Sequence, residues 1–85
     1  MQVWVLMENN SDDAGVFVRV YETKEKALEV FDEMVKEYLE DDTYFEDGEP
    51  KRQFDAKVTH NWFFIESVNH DGWFEQIEVV ERTVE

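Results

Sequence analysis

Several features are scarce or missing in this 85-residue chain, and each absence excludes a class of protein. There is no cysteine, which excludes a disulfide framework and a thiolate metal site. No apolar run approaches the roughly 20 residues that a helix needs to span a bilayer. Residues 1–3 lead directly into a strand-like segment, without the basic flank and apolar run of a signal peptide. We therefore expect a cytoplasmic location.

Basic residues are also scarce. Eight lysines and arginines stand against 22 aspartates and glutamates, which gives a formal net charge of −14. Such a chain is repelled by DNA, RNA and anionic membranes, so we expect none of these as a direct partner. Three interpretations of the acidity stay open: a well-solvated surface, an adaptation to high salt, or a surface shaped to occupy a nucleic-acid-binding site.

Motifs for catalysis are missing as well. Carboxylate pairs are numerous, but we expect none of them to be desolvated as acid/base chemistry requires. Ser11 and Ser67 lack an identifiable base, and no glycine-rich phosphate loop or nucleotide fingerprint is present. The sequence therefore predicts a protein that is not an enzyme and that carries no cofactor.

What is present is enough apolar material for one packed domain, which we place at residues 1–85. Hydrophobic residues make up 42% of the chain and aromatic residues 15%, so the high charge does not imply disorder. A chain of this length supports one modest core and is too short for a deep catalytic cleft.

The segment from Thr23 to about Asp42 has the only sustained helical periodicity in the chain. Thr23 is placed as its N-cap. On a helical wheel centred on Phe31, one face is apolar and is expected to pack: Ala27, Leu28, Val30, Met34, Val35, Tyr38 and Leu39. The opposite face carries Glu25, Glu29, Asp32, Glu33, Lys36, Glu37 and Glu40. One side of this helix packs, and the other is a surface of carboxylates.

The remaining apolar segments predict strands. They lie at residues 2–7, 16–22, 56–68 and 73–81, and an Asp-Gly turn signal at residues 69–72 precedes the last. Residues 41–55 form a loop by composition, in which Tyr44, Phe45 and Phe54 are expected to fold back onto the core. The predicted fold is α+β: an antiparallel sheet of about four strands in the order β-β-α-β-β, with one helix on one face.

The helix start Thr23-Lys24-Glu25-Lys26-Ala27, preceded by two strands and followed by a hairpin, resembles a layout found in many small bacterial and phage proteins of uncharacterised function. The resemblance covers mainly residues 1–40. It implies an intracellular, phage-linked origin and no specific activity.

Acidic residues are concentrated between residues 29 and 49, where ten acids and one base, Lys36, give a net charge of −9. Such a surface can dock in a groove lined with lysine and arginine and gain affinity by counterion release. The predicted partner is therefore a basic, nucleic-acid-binding protein, and the chain would inhibit it as an anti-restriction or anti-CRISPR mimic. The predicted binding residues are Glu29, Glu33, Glu37, Glu40, Asp41, Asp42, Glu46 and Asp47.

A second hypothesis uses the aromatic residues of the last two predicted strands. One helix cannot cover both faces of a sheet. Aromatic residues occupy both odd and even positions of these strands, so they are expected on both faces. Trp62, Phe64 and Trp73 would then line an open face through which the chain forms a homodimer or docks as a subunit of an assembly.

The sequence patterns that could indicate a metal site are the weakest in the chain. Residues 67–78 match an EF-hand loop at several positions, but Ser67 stands where aspartate is expected, and a hairpin is favoured. His60 and His70 do not have zinc spacing. Asp41, Asp42, Glu46 and Asp47 leave open a cation-loaded regulator, which would show a calcium-dependent melting temperature. We predict no metal site.

Overall fold

The protein is described by a computed structural model that covers residues 1–12, 16–69 and 71–84. These residues form seven strands and one helix, which run β1 Gln2–Asn10, β2 Val16–Tyr21, α1 Lys24–Leu39, β3 Phe45–Glu46, β4 Glu49–Pro50, β5 Phe54–Val58, β6 Trp62–Ser67 and β7 Phe74–Thr83. Within the described ranges, α1 falls short of the length and apolar character that crossing a membrane requires.

Five of the strands form one antiparallel sheet in the order β2-β1-β7-β6-β5, and β3 pairs separately with β4. The α+β class and the antiparallel sheet with one helix are confirmed. The predicted count of about four strands in the order β-β-α-β-β is wrong, for two local reasons.

The first reason is a turn inside the stretch predicted as one strand at residues 56–68. The backbone N–H of Thr59 donates to the carbonyl oxygen of Trp62 at 2.7 Å, and β5 and β6 pair on either side. The Asn61 side-chain amide donates to the Val79 carbonyl at 3.2 Å and fixes the turn to β7. Neither glycine nor proline marks this turn, so the apolar run looks continuous in the sequence.

The second reason is a small hairpin in the predicted loop. Asp47 and Gly48 join β3 to β4 with φ of 53° and 81°, and two positive φ values match the tight turn of a two-residue hairpin. Phe45 is buried in the core, and Tyr44 and Phe54 pack partly against it. The prediction that these three aromatic residues fold back onto the core is confirmed.

The N-terminus of α1 is capped as predicted. Thr23 has extended backbone angles, and its hydroxyl oxygen accepts the N–H of Lys26 at 3.2 Å. The helix ends at Leu39 rather than near residue 42. Just after the helix, the Asp41 carboxylate accepts a hydrogen bond from the N–H of Thr43 at 2.9 Å. This side-chain-to-backbone bond competes with the backbone hydrogen bonds that would continue the helix.

The central pair of the sheet, β1 and β7, is longer than predicted. Its register runs over nine residue pairs, from Gln2 opposite Thr83 to Asn10 opposite Glu75. The first strand, which was predicted to end at residue 7, therefore continues to Asn10, and residues 13–15 lie outside the described part. The extension of β1 brings Glu8 into the sheet beside β7, whose predicted bounds already contained Glu75.

The core lies between α1 and one face of the sheet. The helix contributes Ala27, Phe31 and Val35, and the five-stranded sheet and β3 contribute Leu6, Phe45, Phe63, Ile65, Ile77 and Val79. Leu39, predicted to pack inward, is exposed because it is the last helical residue. The chain measures 44 × 28 × 15 Å, so it is two layers thick, and the second face of the sheet has no covering element among the described residues.

Candidate functional site

The eight predicted partner-binding carboxylates form what we call the acidic surface. All eight side chains are exposed. Four lie on α1 and its C-cap, two follow in the turn after the helix, and two lie at the β3–β4 hairpin: Glu29, Glu33, Glu37 and Glu40, then Asp41 and Asp42, then Glu46 and Asp47. The structure thus presents the predicted residues to solvent along one continuous segment of chain.

Little of this charge is neutralised. The ion pairs among the described residues are Lys26 with Glu29 at 3.9 Å and Lys36 with Glu40 at 3.8 Å, and all four side chains are more than half exposed. Exposed pairs of this kind contribute at most about 1 kcal/mol. Glu33 and Glu37 have no cationic partner within the described ranges, so their charge is available to an incoming partner.

The second predicted site, the uncovered face of the sheet, brings Trp62 and Phe64 together. Their rings stack with centroids 6.0 Å apart, and Phe64 stacks on Phe74 at 6.3 Å. The register places further apolar side chains on this face: Val3, Val5 and Met7 of β1, Val16, Val18 and Val20 of β2, and Val80 of β7. We call these residues the open sheet face.

Trp73, the third residue of that prediction, lines a shallow groove together with Phe64, but its ring does not stack on Trp62 or Phe64. Its ring stacks on Tyr44 at 5.3 Å and meets Phe54 edge-on at 5.6 Å. Its indole N–H donates to the Asp12 carboxylate at 3.0 Å. Trp73 lies just before β7 and packs toward the helix side of the sheet, so Phe74, the next residue, takes the place on the open sheet face.

A buried carboxylate, which the sequence pattern missed, lies two residues after Trp73 on the helix side of the sheet. Glu75 is only 2% exposed, and its Oε1 has no hydrogen-bond partner among the described residues. Every second residue of a strand points to the same face. Glu75 therefore points inward together with the buried Ile77 and Val79, which follow it at two-residue steps along β7. The expectation that no carboxylate is desolvated is therefore wrong at this residue.

The surroundings of Glu75 favour its protonated form. Burial, and then the carboxylate of Glu8 beside it, raise the pKa of Glu75 to about 8, while hydrogen bonds from Tyr38 and Asn10 act in the opposite direction. Burial and the neighbouring Glu75 also raise the pKa of Tyr38. Glu75 is therefore mainly neutral at pH 7 and ionises just above it.

Above this residue lies a cleft of about 260 Å³ at the C-terminal end of α1. It is lined by three acids, two tyrosines and a methionine: Glu8, Glu37, Asp41, Tyr38, Tyr44 and Met34. Tyr38 and Tyr44 have ring centroids 5.3 Å apart, and Tyr38 also contacts Phe63 in the core. Glu37 and Asp41 belong to the acidic surface, so the cleft opens within the predicted binding site.

The described residues contain no group of three or more histidine, cysteine, aspartate or glutamate side chains arranged to hold a metal ion. The segment that resembles an EF-hand loop contains the end of β6, a turn and the start of β7. In that turn Asp71 accepts the N–H of Trp73 at 2.9 Å, and Gly72 has φ of 81°. His70 lies outside the described residues, and the cation-loaded regulator stays a prediction.

No protein-family model matches this chain, and neither a curated protein nor a solved structure matches it. The arrangement offers a carboxylate surface for cations on one layer and an apolar surface on the other.

Proposed function

We propose that this chain is a non-enzymatic, cytoplasmic interaction protein that binds a basic protein through the acidic surface. In its sharper form it occupies the nucleic-acid-binding site of a nuclease or DNA-binding protein, as an anti-restriction or anti-CRISPR inhibitor of phage origin does. One observation carries the proposal. All eight carboxylates are exposed on consecutive turns and on the adjoining hairpin, and only Glu29 and Glu40 have a cationic partner among the described residues.

The like charges of the acidic surface lower the stability of the fold. Glu29, Glu33 and Glu37 are spaced four residues apart on α1, and each like-charge pair on a helix is unfavourable by a few tenths of a kcal/mol. Acids near the end of α1 also oppose the helix dipole. A basic partner would relieve both penalties, because its cations replace the missing counter-charges.

Carboxylates on such a surface act as substitutes for phosphates. A helix rises about 1.5 Å per residue, so acids one turn apart are more widely spaced than the phosphates of a duplex, which occur about every 1.7 Å of axis. The turn and hairpin acids raise the local density. Binding that depends on these charges weakens with salt, because salt screens the attraction and reduces the gain from counterion release.

The proposal is tested by capture from a host lysate at low and high salt. Wild type should capture a nucleic-acid-binding protein that elutes as salt rises, and a variant carrying Glu33→Gln, Glu37→Gln and Glu40→Gln should not. The matched control carries Glu22→Gln, Glu66→Gln and Glu81→Gln, which remove the same charge from exposed positions elsewhere. Equal capture by all three proteins, or capture that salt does not weaken, would contradict the proposal.

A second candidate function is self-assembly through the open sheet face, and the occupant we propose is a second copy of this chain. A sheet with apolar residues on both faces is normally covered on both. Here α1 covers one face, while Val16, Val18 and Val20 on the other are each more than half exposed. Two copies would stack sheet to sheet about a two-fold axis, as in a β-sandwich.

Charge distribution favours this occupant. The charged residues that the register assigns to the open sheet face are three acids, Asp55, Glu66 and Glu78, and two bases, Lys57 and Arg82. This face is therefore nearly neutral, although the whole chain carries −14. A dimer formed here points both acidic surfaces outward, where they repel each other least.

A further inference from the structure

We infer that the cleft at the C-terminal end of α1 receives the guanidinium group of an arginine side chain from the basic partner. This inference rests on the proposed function and names the group that the acidic surface recognises. It depends on three features of the cleft that are independent of the overall charge.

The first feature is the sign of every charge around the cleft. Its charged lining residues are Glu8, Glu37 and Asp41, and no base contributes to it. The helix ends at Leu39, so the negative end of its dipole faces the same region. A cation placed here is attracted both by side chains and by the last carbonyl groups of α1.

The second feature is the unsatisfied acceptor beneath the cleft. Glu75 packs against Glu8 and Tyr38, two of the lining residues, and one of its two carboxyl oxygens, the buried Oε1, has no hydrogen-bond partner among the described residues. Buried acceptors without a donor are rare in proteins and destabilise the fold. A guanidinium group carries five N–H donors and can serve two neighbouring carboxylates together.

The third feature is the pair of tyrosines. The Tyr38 and Tyr44 rings lie 5.3 Å apart at an angle of 48°, and both line the cleft. Aromatic faces attract cations, and the planar guanidinium group stacks on them more readily than an ammonium group. This geometry selects arginine over lysine.

Proton binding is coupled to this site. The groups that face Glu75 are Glu8 and Asn10 from β1, Tyr38 from α1 and Tyr44 from the segment after it. A guanidinium group favours the ionised form of Glu75 and stays charged throughout this range of pH. Arginine binding should therefore strengthen as pH rises through about 8, the pKa of Glu75, and should release a proton below it.

The test uses N-acetylarginine amide as the probe, with the uncharged N-acetylcitrulline amide as its isosteric control. The whole chain is titrated at pH 6.5 and pH 9, and backbone and tyrosine NMR signals are followed. We expect saturable shifts at Tyr38 and Tyr44 for the arginine probe alone, with about tenfold tighter binding at the higher pH.

Two variants separate the cleft from general attraction. Glu75→Gln keeps the shape of the buried side chain, and it should weaken binding about tenfold at pH 9 and remove the pH dependence. Glu22→Gln removes a charge from an exposed position outside both the acidic surface and the cleft lining, and it should bind the probe almost as wild type does. Equal binding by all three proteins, or equal binding of the citrulline probe, would overturn the inference.

The two proposals fail in different ways. Salt-sensitive capture of a partner, without binding of the arginine probe, would contradict the inference about the cleft and would still support the proposed function. If the probe binds in a manner that depends on Glu75 but the chain captures no partner through its charge, the inference about the cleft would be supported and the proposed function contradicted.

Discussion

Glu75 shows how one side chain can make a small fold sensitive to pH. It is the one polar or charged residue that is buried among the described residues, and it faces the helix side of the central strand β7. Ionising a buried carboxyl group is unfavourable, because the interior solvates the charge poorly. The folded state therefore holds the proton of Glu75 more tightly than the unfolded state does.

The sign of the resulting pH dependence follows from this difference. The pKa of Glu75 is about 8 in the folded chain, against an ordinary value of 4.5. Between these values the folded state binds one more proton than the unfolded state, so the free energy of unfolding falls as pH rises. The stabilisation is fully present below about pH 4.5 and is lost as pH passes through about 8.

Chemical denaturation of wild type and Glu75→Gln tests this prediction. Relative to the variant, wild type should lose up to about 1.4 kcal/mol per pH unit between pH 5 and pH 8, and the variant should be the more stable protein at pH 9. A difference between the two proteins that does not change with pH would show that Glu75 titrates normally.

Trp73 and Phe74 show the limit of sequence reasoning at single residues. Aromatic side chains at adjacent positions must point to opposite faces of a strand, but the pattern does not say which residue points inward. Glu75 was missed for the same reason. Apolar residues occur at both parities of β7, with Phe74 and Val80 on one face and Ile77 and Val79 on the other. An acid between them could therefore be assigned to either face.

At the scale of elements, α1 was predictable because several signals agree there. Apolar residues recur at helical spacing, and Thr23 supplies the cap that the structure shows. The strands were predictable in type but not in length, since β1 and β7 extend beyond the apolar residues that identify them. The turn at residues 59–61 is held by Thr59 and Asn61, whose hydrogen bonds leave little trace in the sequence.

The Thr23 cap gives a prediction for the helix. Thr23→Ala removes the acceptor of the Lys26 N–H and should lower the free energy of unfolding by about 1 kcal/mol. In a domain of this size, that corresponds to a melting temperature about 4–8 °C lower. Thr23→Ser keeps the hydroxyl group and should melt close to wild type. Equal melting of the alanine and serine variants would indicate that the hydroxyl bond contributes nothing.

At the scale of the whole molecule, charge and apolar surface are separated onto opposite sides. The acidic surface lies on α1, the turn after it and the hairpin, and the open sheet face lies on the far side of a body 15 Å thick. The two proposed interactions therefore do not compete for the same surface, and salt should affect them in opposite directions. Salt weakens contacts between opposite charges and relieves the repulsion between two acidic copies.

Sedimentation and light scattering at low and high salt test the assembly. Wild type should be a dimer that salt maintains or strengthens, and Phe64→Asp should be monomeric, because it places a charge in the middle of the apolar face. Val58→Asp is the matched control, since Val58 is about half exposed and lies on the helix side of β5. A monomeric wild type, or dissociation of both variants, would contradict assembly through the open sheet face.

The β1–β7 pairing has a further consequence, for folding kinetics. The central ladder joins residues from opposite ends of the chain, such as Gln2 with Thr83, while α1 and the pairs β1–β2 and β5–β6 join residues close in sequence. Long-range pairing slows folding, because nearly the whole chain must close into a loop before its contacts stabilise it. The two halves therefore depend on each other, and the acidic surface has a rigid support only after the ends of the chain have met.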